Sequence, residues 1–104
     1  MSDFQKLELR VVRIITAEPV KDSDHLLRLQ IDTGHEVRSV LAGIGQHQQA
    51  TLPGQLVIAC LNLPPRITRF GTSEAMLLVS QNATNGHSTL LVAHPTAKPG
   101  DRVH

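Results

Sequence analysis

Aromatic side chains are almost missing from this sequence: it has no tryptophan, no tyrosine and two phenylalanines, Phe4 and Phe70. Proteins that hold single strands of nucleic acid stack successive bases on aromatic platforms, so that mode of binding is disfavoured. Cysteine is just as scarce. The lone Cys60 rules out an internal disulfide framework and any multi-cysteine zinc site. Its place in the apolar run LVIACL predicts a buried, inert thiol. No apolar run approaches the length of a membrane-crossing helix. The opening MSDFQKLELR lacks the basic-then-apolar plan of a signal peptide. The NAT at 82–84 therefore carries no glycosylation meaning, and a cytoplasmic location is expected.

Large net charge is missing too, at +1 overall. The charges are unevenly spread, however. Residues 1–36 carry seven acids against five bases, whereas residues 37–73 carry Arg38, Arg66 and Arg69 with no acid. With 104 residues and 40% apolar content, the chain is expected to form one domain spanning 1–104 around a single core. A domain of this size buries roughly 60–70% of the surface its unfolded chain exposes.

The apolar pattern is that of strands. LELRVVRII at 7–15 alternates from Leu7 to Val11, then slips at Val11-Val12 and again at Ile14-Ile15, as a long bulged strand does. Residues 26–32 put Leu27, Leu29 and Ile31 on one face, opposite Arg28, Gln30 and Asp32. DTGH predicts a hairpin turn into EVRSVLAGI. QHQQATLPGQ at 46–55 breaks the pattern and predicts a short helical turn. LVIACL follows, apolar throughout and so expected to be buried on both faces. AMLLVSQ and STLLVAH predict two more strands around NATNG, and PTAKPGDRVH a tail with a Pro-Gly turn. The expected fold is all-β: a five-stranded OB-fold Greek-key barrel with a short helix between strands 3 and 4 and an extra C-terminal hairpin and tail. An SH3-like barrel is the competing choice, but it has no need of the break at 46–55.

Catalytic and metal-binding patterns are absent. The six histidines (His25, His35, His47, His87, His94 and His104) show no i, i+4 pair and fall in expected turns or at strand ends, where surface histidine is the ordinary reading. DSD at 22–24 lacks the further ligands of a calcium loop. AGIGQHQQ has no third glycine and no βαβ unit for a dinucleotide. No nucleophile elbow is present. These observations predict a binding module with no cofactor, no metal and no enzymatic activity.

The segment NLPPRITRFGTSEAM at 62–76 is the most distinctive. Its tandem prolines fix two φ angles and remove two donors, so it is stiff and cannot continue a ladder. Stiffness lowers the ordering cost of any contact made by its side chains. Arg66 and Arg69 are suited to fork onto phosphate oxygens. Thr72 or Ser73 is expected to cap a short helical turn containing Glu74, and Met76 to fill the core.

This segment resembles the NL-x-P-R-x-x-R-F-G-x-S-E-(G/A)-M block of the tRNA-binding domain appended to many bacterial methionyl-tRNA synthetases. DFQKLELRVVRI, SDHLLRLQIDTG, VRSVLAGIG and the late KPG match in register, so the resemblance spans the whole chain. The same domain occurs in free-standing dimeric tRNA-binding proteins, in eukaryotic synthetase-associated cofactors and in the chaperone CsaA. The resemblance implies an OB-fold, a symmetric homodimer, and tRNA bound by shape. It implies a binding surface of Asn62, Arg66, Arg69, Ser73 and Met76, with Arg38 nearby. In it the arginines contact phosphates, Ser73 hydrogen-bonds phosphate or ribose, and Met76 supports the loop from below. Three positions depart from the family: Thr68 in place of a basic residue, Ala42 where a serine commonly precedes the glycine, and Leu27 where a tyrosine often stands. Each loss implies weaker RNA binding than in the strongest members.

The leading expectation is a homodimeric tRNA-binding module, acting in trans with a methionyl-type aminoacyl-tRNA synthetase or derived from one. The start at Met1-Ser2 favours a free-standing chain. The alternatives are a CsaA-like chaperone holding unfolded apolar peptide and a dimerisation module whose RNA surface has decayed. The shortage of aromatics fits the first: folded RNA is gripped through phosphates and 2′-hydroxyls, which needs no stacking platform.

Overall fold

The computed structural model describes residues 6–104, so Phe4 and the Met1-Ser2 start lie outside it. Its longest strand, β1 (Leu9–Pro19), runs antiparallel to β2 (Leu27–Asp32), which pairs in turn with β3 (Val37–Ala42). In β2 the alternation is strict. Leu27, Leu29 and Ile31 are fully buried, while Arg28, Gln30 and Asp32 are half-buried on the other face. Leu29 stands opposite Ala17 of β1 and Val40 of β3, so the middle of the sheet is apolar across three strands.

Of the two phase slips in β1, one is a bulge. The register shifts between Ile14 and Thr16, leaving Ile15 unpaired and exposed. At Val11-Val12 both side chains are buried, one on each face of the strand. Val12 belongs to the central cluster, opposite Val57. Val11 lies where the C-terminal tail docks: its amide donates to Asp101 O, and its carbonyl accepts from Gly100 N. Val103 N to Leu9 O extends this pairing.

A 3₁₀ turn (Gln46–Thr51) follows β3, and Leu52 just beyond it enters the core. β4 (Leu56–Cys60) pairs with β1 and buries Leu56, Val57, Ala59 and Cys60, as an all-apolar strand should. Next comes a small hairpin of β5 (Arg66–Thr68) and β6 (Gly71–Ser73), then β7 (Met76–Leu77) on the free side of β4. β8 (Val79–Gln81) and β9 (Ser88–Leu90) make the extra C-terminal hairpin.

The five-stranded sheet has the order β3-β2-β1-β4-β7. It curls until β3 meets the segment between β6 and β7. There Glu74 N donates to Ser39 O, the Glu74 carboxylate accepts from Ser39 N, and Ser73 Oγ accepts from Leu41 N. The result is the nearly closed antiparallel barrel expected of an OB-fold, with the short helical turn and the extra hairpin in their expected places.

The helical turn expected at 72–74 does not form. Glu74 spends both its backbone amide and its side chain on Ser39, which holds the chain extended, and Gly71–Ser73 becomes a strand. Among the described residues, no helix is long and apolar enough to cross a membrane.

Candidate nucleic-acid interface

The β5–β6 hairpin carries the two arginines singled out in the sequence. Pro64-Pro65 leads into it, and the register pairs Arg66 with Ser73, Ile67 with Thr72, and Thr68 with Gly71. Arg69 and Phe70 form the tip. Thr68 Oγ1 closes the turn, donating to Gly71 O at 2.9 Å and accepting from Phe70 N at 3.1 Å. Gly71 takes φ 125°, in the region that favours glycine, and a Cβ there would stand 2.9 Å from Arg28 Nη2. That close approach has a purpose, because Arg28 reaches from β2 to donate to the Phe70 carbonyl and ties the tip to the barrel.

Arg66, Ile67 and Arg69 are exposed, Ile67 to 83%. Among the described residues neither arginine enters a salt bridge. The Arg69 guanidinium lies over the Phe70 ring, 4.7 Å from its centroid, a contact worth about 0.5–1 kcal/mol at an exposed site. Arg66 stands at the rim of a cavity of about 290 Å³ whose walls include Leu41, Leu63, Ala75, Met76 and Val79. The site thus joins two unpaired cations to an apolar hollow. Beside the tip, the His25 ring bonds Asp24 at 3.0 Å and holds its carboxyl below the usual carboxylate range. A carboxyl lowered in this way favours the folded chain above the ordinary carboxylate range, and the benefit fades as pH falls through the lowered value.

Met76 is brought to this site, but not from within the core. It is 48% exposed, because strand alternation in β7 sends Leu77 inward opposite Ala59 and turns Met76 out. The core-filling role expected of it is therefore corrected: Met76 forms part of the cavity wall, together with Leu63 and Arg66 of the loop.

The remaining expected residues are engaged in holding the frame. Ser73 is buried, with Oγ donating to Ala75 O at 3.0 Å and accepting from Leu41 N at 3.1 Å. Asn62 accepts from Glu8 N and from Cys60 Sγ, and donates to Lys6 O, clamping residues 6–8 to the end of β4. Arg38 donates to Leu61 O at 2.8 Å and Glu74 O at 3.3 Å, with Nε 2.5 Å from the Glu36 carboxylate. Ser73→Ala would strand the Leu41 amide at the barrel closure. The expected cost is about 1–3 kcal/mol in unfolding free energy, read from urea melts.

Sequence reasoning missed Arg28. Its alternating position marks it as outward-facing on β2, but no local signal says that the distant Phe70 lies above it. Among the described residues, no group of three His, Cys, Asp or Glu side chains converges as a metal site would require.

The family model described as "Putative tRNA binding domain" matches residues 9–102. A methionine–tRNA ligase of Nitrosomonas europaea is 40% identical over 104 residues, covering 99% of this chain, which spans only 15% of that ligase's length. Among solved structures, a MetRS-related protein from Pyrococcus horikoshii superposes with a TM-score of 0.90 at 28% identity, over 98% of this chain and 94% of that one. The chaperone CsaA from Bacillus anthracis does so with 0.84 at 27% identity, over 98% and 94%. With the family model covering nearly the whole barrel and all of the hairpin, the chain belongs to the tRNA-binding domain family.

Proposed function

We propose that this chain is a non-catalytic module that binds folded tRNA by shape through the face bearing the β5–β6 hairpin. The observation that carries the reading is the pair of exposed arginines, Arg66 and Arg69, which enter no ion pair among the described residues, on a hairpin stiffened by Pro64-Pro65 and pinned by Arg28. Guanidinium groups presented in this way suit phosphate oxygens. The near absence of aromatic side chains suits a folded target held by its backbone. The module acts as a homodimer in the cytoplasm, in trans with a methionyl-type aminoacyl-tRNA synthetase or as part of one. Two modest sites held together raise the effective affinity for tRNA without new contacts.

The test is a titration of folded tRNA at several salt concentrations, with Arg66→Ala/Arg69→Ala beside the wild type. Binding is expected to weaken as salt rises, with a log–log slope of about 0.7–0.9 per phosphate neutralised. The double variant is expected to bind at least about tenfold more weakly at 0.1 M salt, with a slope shallower by about 1.5–2. Equal affinities and equal slopes for the two proteins would end this reading.

One observation favours a second reading. The apolar cavity and the exposed Leu63, Ile67, Met76 and Val79 beside it suit an extended apolar peptide, as in a CsaA-like chaperone. That function requires affinity for unfolded polypeptide that survives high salt.

A further inference from the structure

Beside the hairpin tip, sharing no residue with the apolar cavity, lies a polar depression of about 360 Å³. It is lined by Val20, Lys21, Asp22, Arg28, Arg69 and Phe70. Three of these six side chains are cationic and one is acidic. Among the described residues, Lys21, Arg28 and Arg69 enter no salt bridge. A concave surface with an excess of unpaired positive charge attracts anions.

The cations are held in place by the fold. Phe70 organises both arginines, since its carbonyl accepts from Arg28 Nη2 and its ring lies beneath the Arg69 guanidinium. Arg28 projects from β2, an interior strand of the five-stranded sheet, so its head group stands on a rigid base. A guanidinium has five N–H donors, and beyond the bond to Phe70 those of Arg28 take no partner among the described residues. Lys21 sits on a turn fixed by Val20 N to Leu26 O and Ser23 N to Val20 O, where Asp22 adopts φ 68°. Val20 beneath it is buried. Three cations thus meet at one hollow, supplied by the turn after β1, by β2 and by the hairpin tip.

We infer that this depression is a phosphate subsite, in which Lys21 and Arg28 join Arg69 around one backbone phosphate of a bound folded RNA. The inference rests on the RNA reading above and extends its footprint from the hairpin to the β1–β2 connection. The arginines fork onto the phosphate oxygens, and Lys21 adds a point charge. Asp22 opposes them, so the hollow contributes as a single phosphate contact. A phosphate carries no base identity, so the subsite adds affinity without sequence preference.

Lys21 is exposed and makes no hydrogen bond among the described residues, so Lys21→Ala spares the fold. This variant is expected to bind tRNA about fivefold more weakly at 0.1 M salt, with a slope shallower by about 1, equally for tRNAs of different sequence. Arg28→Gln, which keeps a donor but not the charge, is expected to lose affinity to a similar degree. Asp22→Asn, which suits the same left-handed backbone, is expected to gain it. If wild type binds tRNA and Lys21→Ala matches it at every salt, the subsite is overturned while the role of Arg66 stands. If wild type does not bind tRNA, the RNA reading falls and inorganic phosphate at constant ionic strength decides. Saturable NMR shifts of the Asp22 and Phe70 amides, lost in Lys21→Ala, would then keep a site for free phosphate. A flat response would overturn that as well.

Discussion

Leu29→Ala is expected to lower the free energy of unfolding by about 3–4 kcal/mol, the upper part of the range for a buried leucine cut to alanine. The side chain is fully buried in the middle of β2. Leu27 and Ile31 flank it on the same face, and Ala17 and Val40 stand across from it on β1 and β3. All four neighbours lie on strands fixed by ladder hydrogen bonds, so the wall has little freedom to collapse into the space left behind. The cavity then adds to the lost transfer energy, at about 24 cal/mol per Å³ that stays empty. Against a total stability of about 5–15 kcal/mol for a small domain, the loss is a large fraction. Urea melts should show a lower midpoint with an unchanged slope. Ile15 serves as the comparison, because it lies in the same sheet but is turned out by the bulge. Its truncation is expected to cost less than about 1 kcal/mol.

Gly34→Ala is expected to cost about 2–4 kcal/mol, and its effect should concentrate on the tail. Gly34 takes φ 93° in the β2–β3 turn, where Asp32 Oδ1 accepts from its amide. A Cβ there would stand 2.8 Å from the Pro99 carbonyl oxygen and 3.1 Å from the Gly100 Cα. Both opposing atoms are backbone, and the proline ring limits how Pro99 can shift. Left-handed backbone strain and the steric clash therefore add together. Relief comes most readily by lifting the tail away from β1, which breaks Gly100 N to Val11 O, Val11 N to Asp101 O and Val103 N to Leu9 O. Hydrogen exchange should show it. The amides of Val11, Gly100 and Val103 should exchange far faster than in the wild type, while those of β2 and β3 slow by comparison. Uniform acceleration throughout the barrel would mean that the tail is not a separate unit.

The strands that could be read in the sequence were those whose pattern is local. β2 shows its buried face in its own alternation, and β4 shows burial on both faces by having no polar residue. β1 was legible in part. A doubled apolar pair can mark a bulge, as at Ile14-Ile15, or burial on both faces, as at Val11-Val12, and the local pattern does not separate the two. The hairpin at 66–73 escaped because its strands are three residues long and filled with arginine, glycine and threonine, which is also loop composition. Met76 was misplaced because the proline-rich segment erases the phase, so nothing upstream tells which side of β7 faces inward. Arg66 and Arg69 were legible as the exposed cations of the site. The commitments of Asn62, Ser73 and Arg38 to backbone partners were not, since each partner is remote in the chain or depends on how the barrel shuts.

The closure at Ser73 and Glu74 bears on how the segment 62–76 should be interpreted wherever it occurs. Four junctions of the barrel are zipped by backbone ladders, and the fifth is buttoned by one backbone bond and two side chains supplied by this same stretch. The letters of the motif therefore serve two trades. Ser73 and Glu74 shut the barrel and Asn62 clamps residues 6–8 to the end of β4, whereas Arg66 and Arg69 reach out from it. A relative that kept the first set and lost the second would keep the closure of the barrel but lose the two exposed cations of the hairpin. The motif as a whole attests the architecture, and the two arginines within it are the letters on which the proposed RNA contact rests.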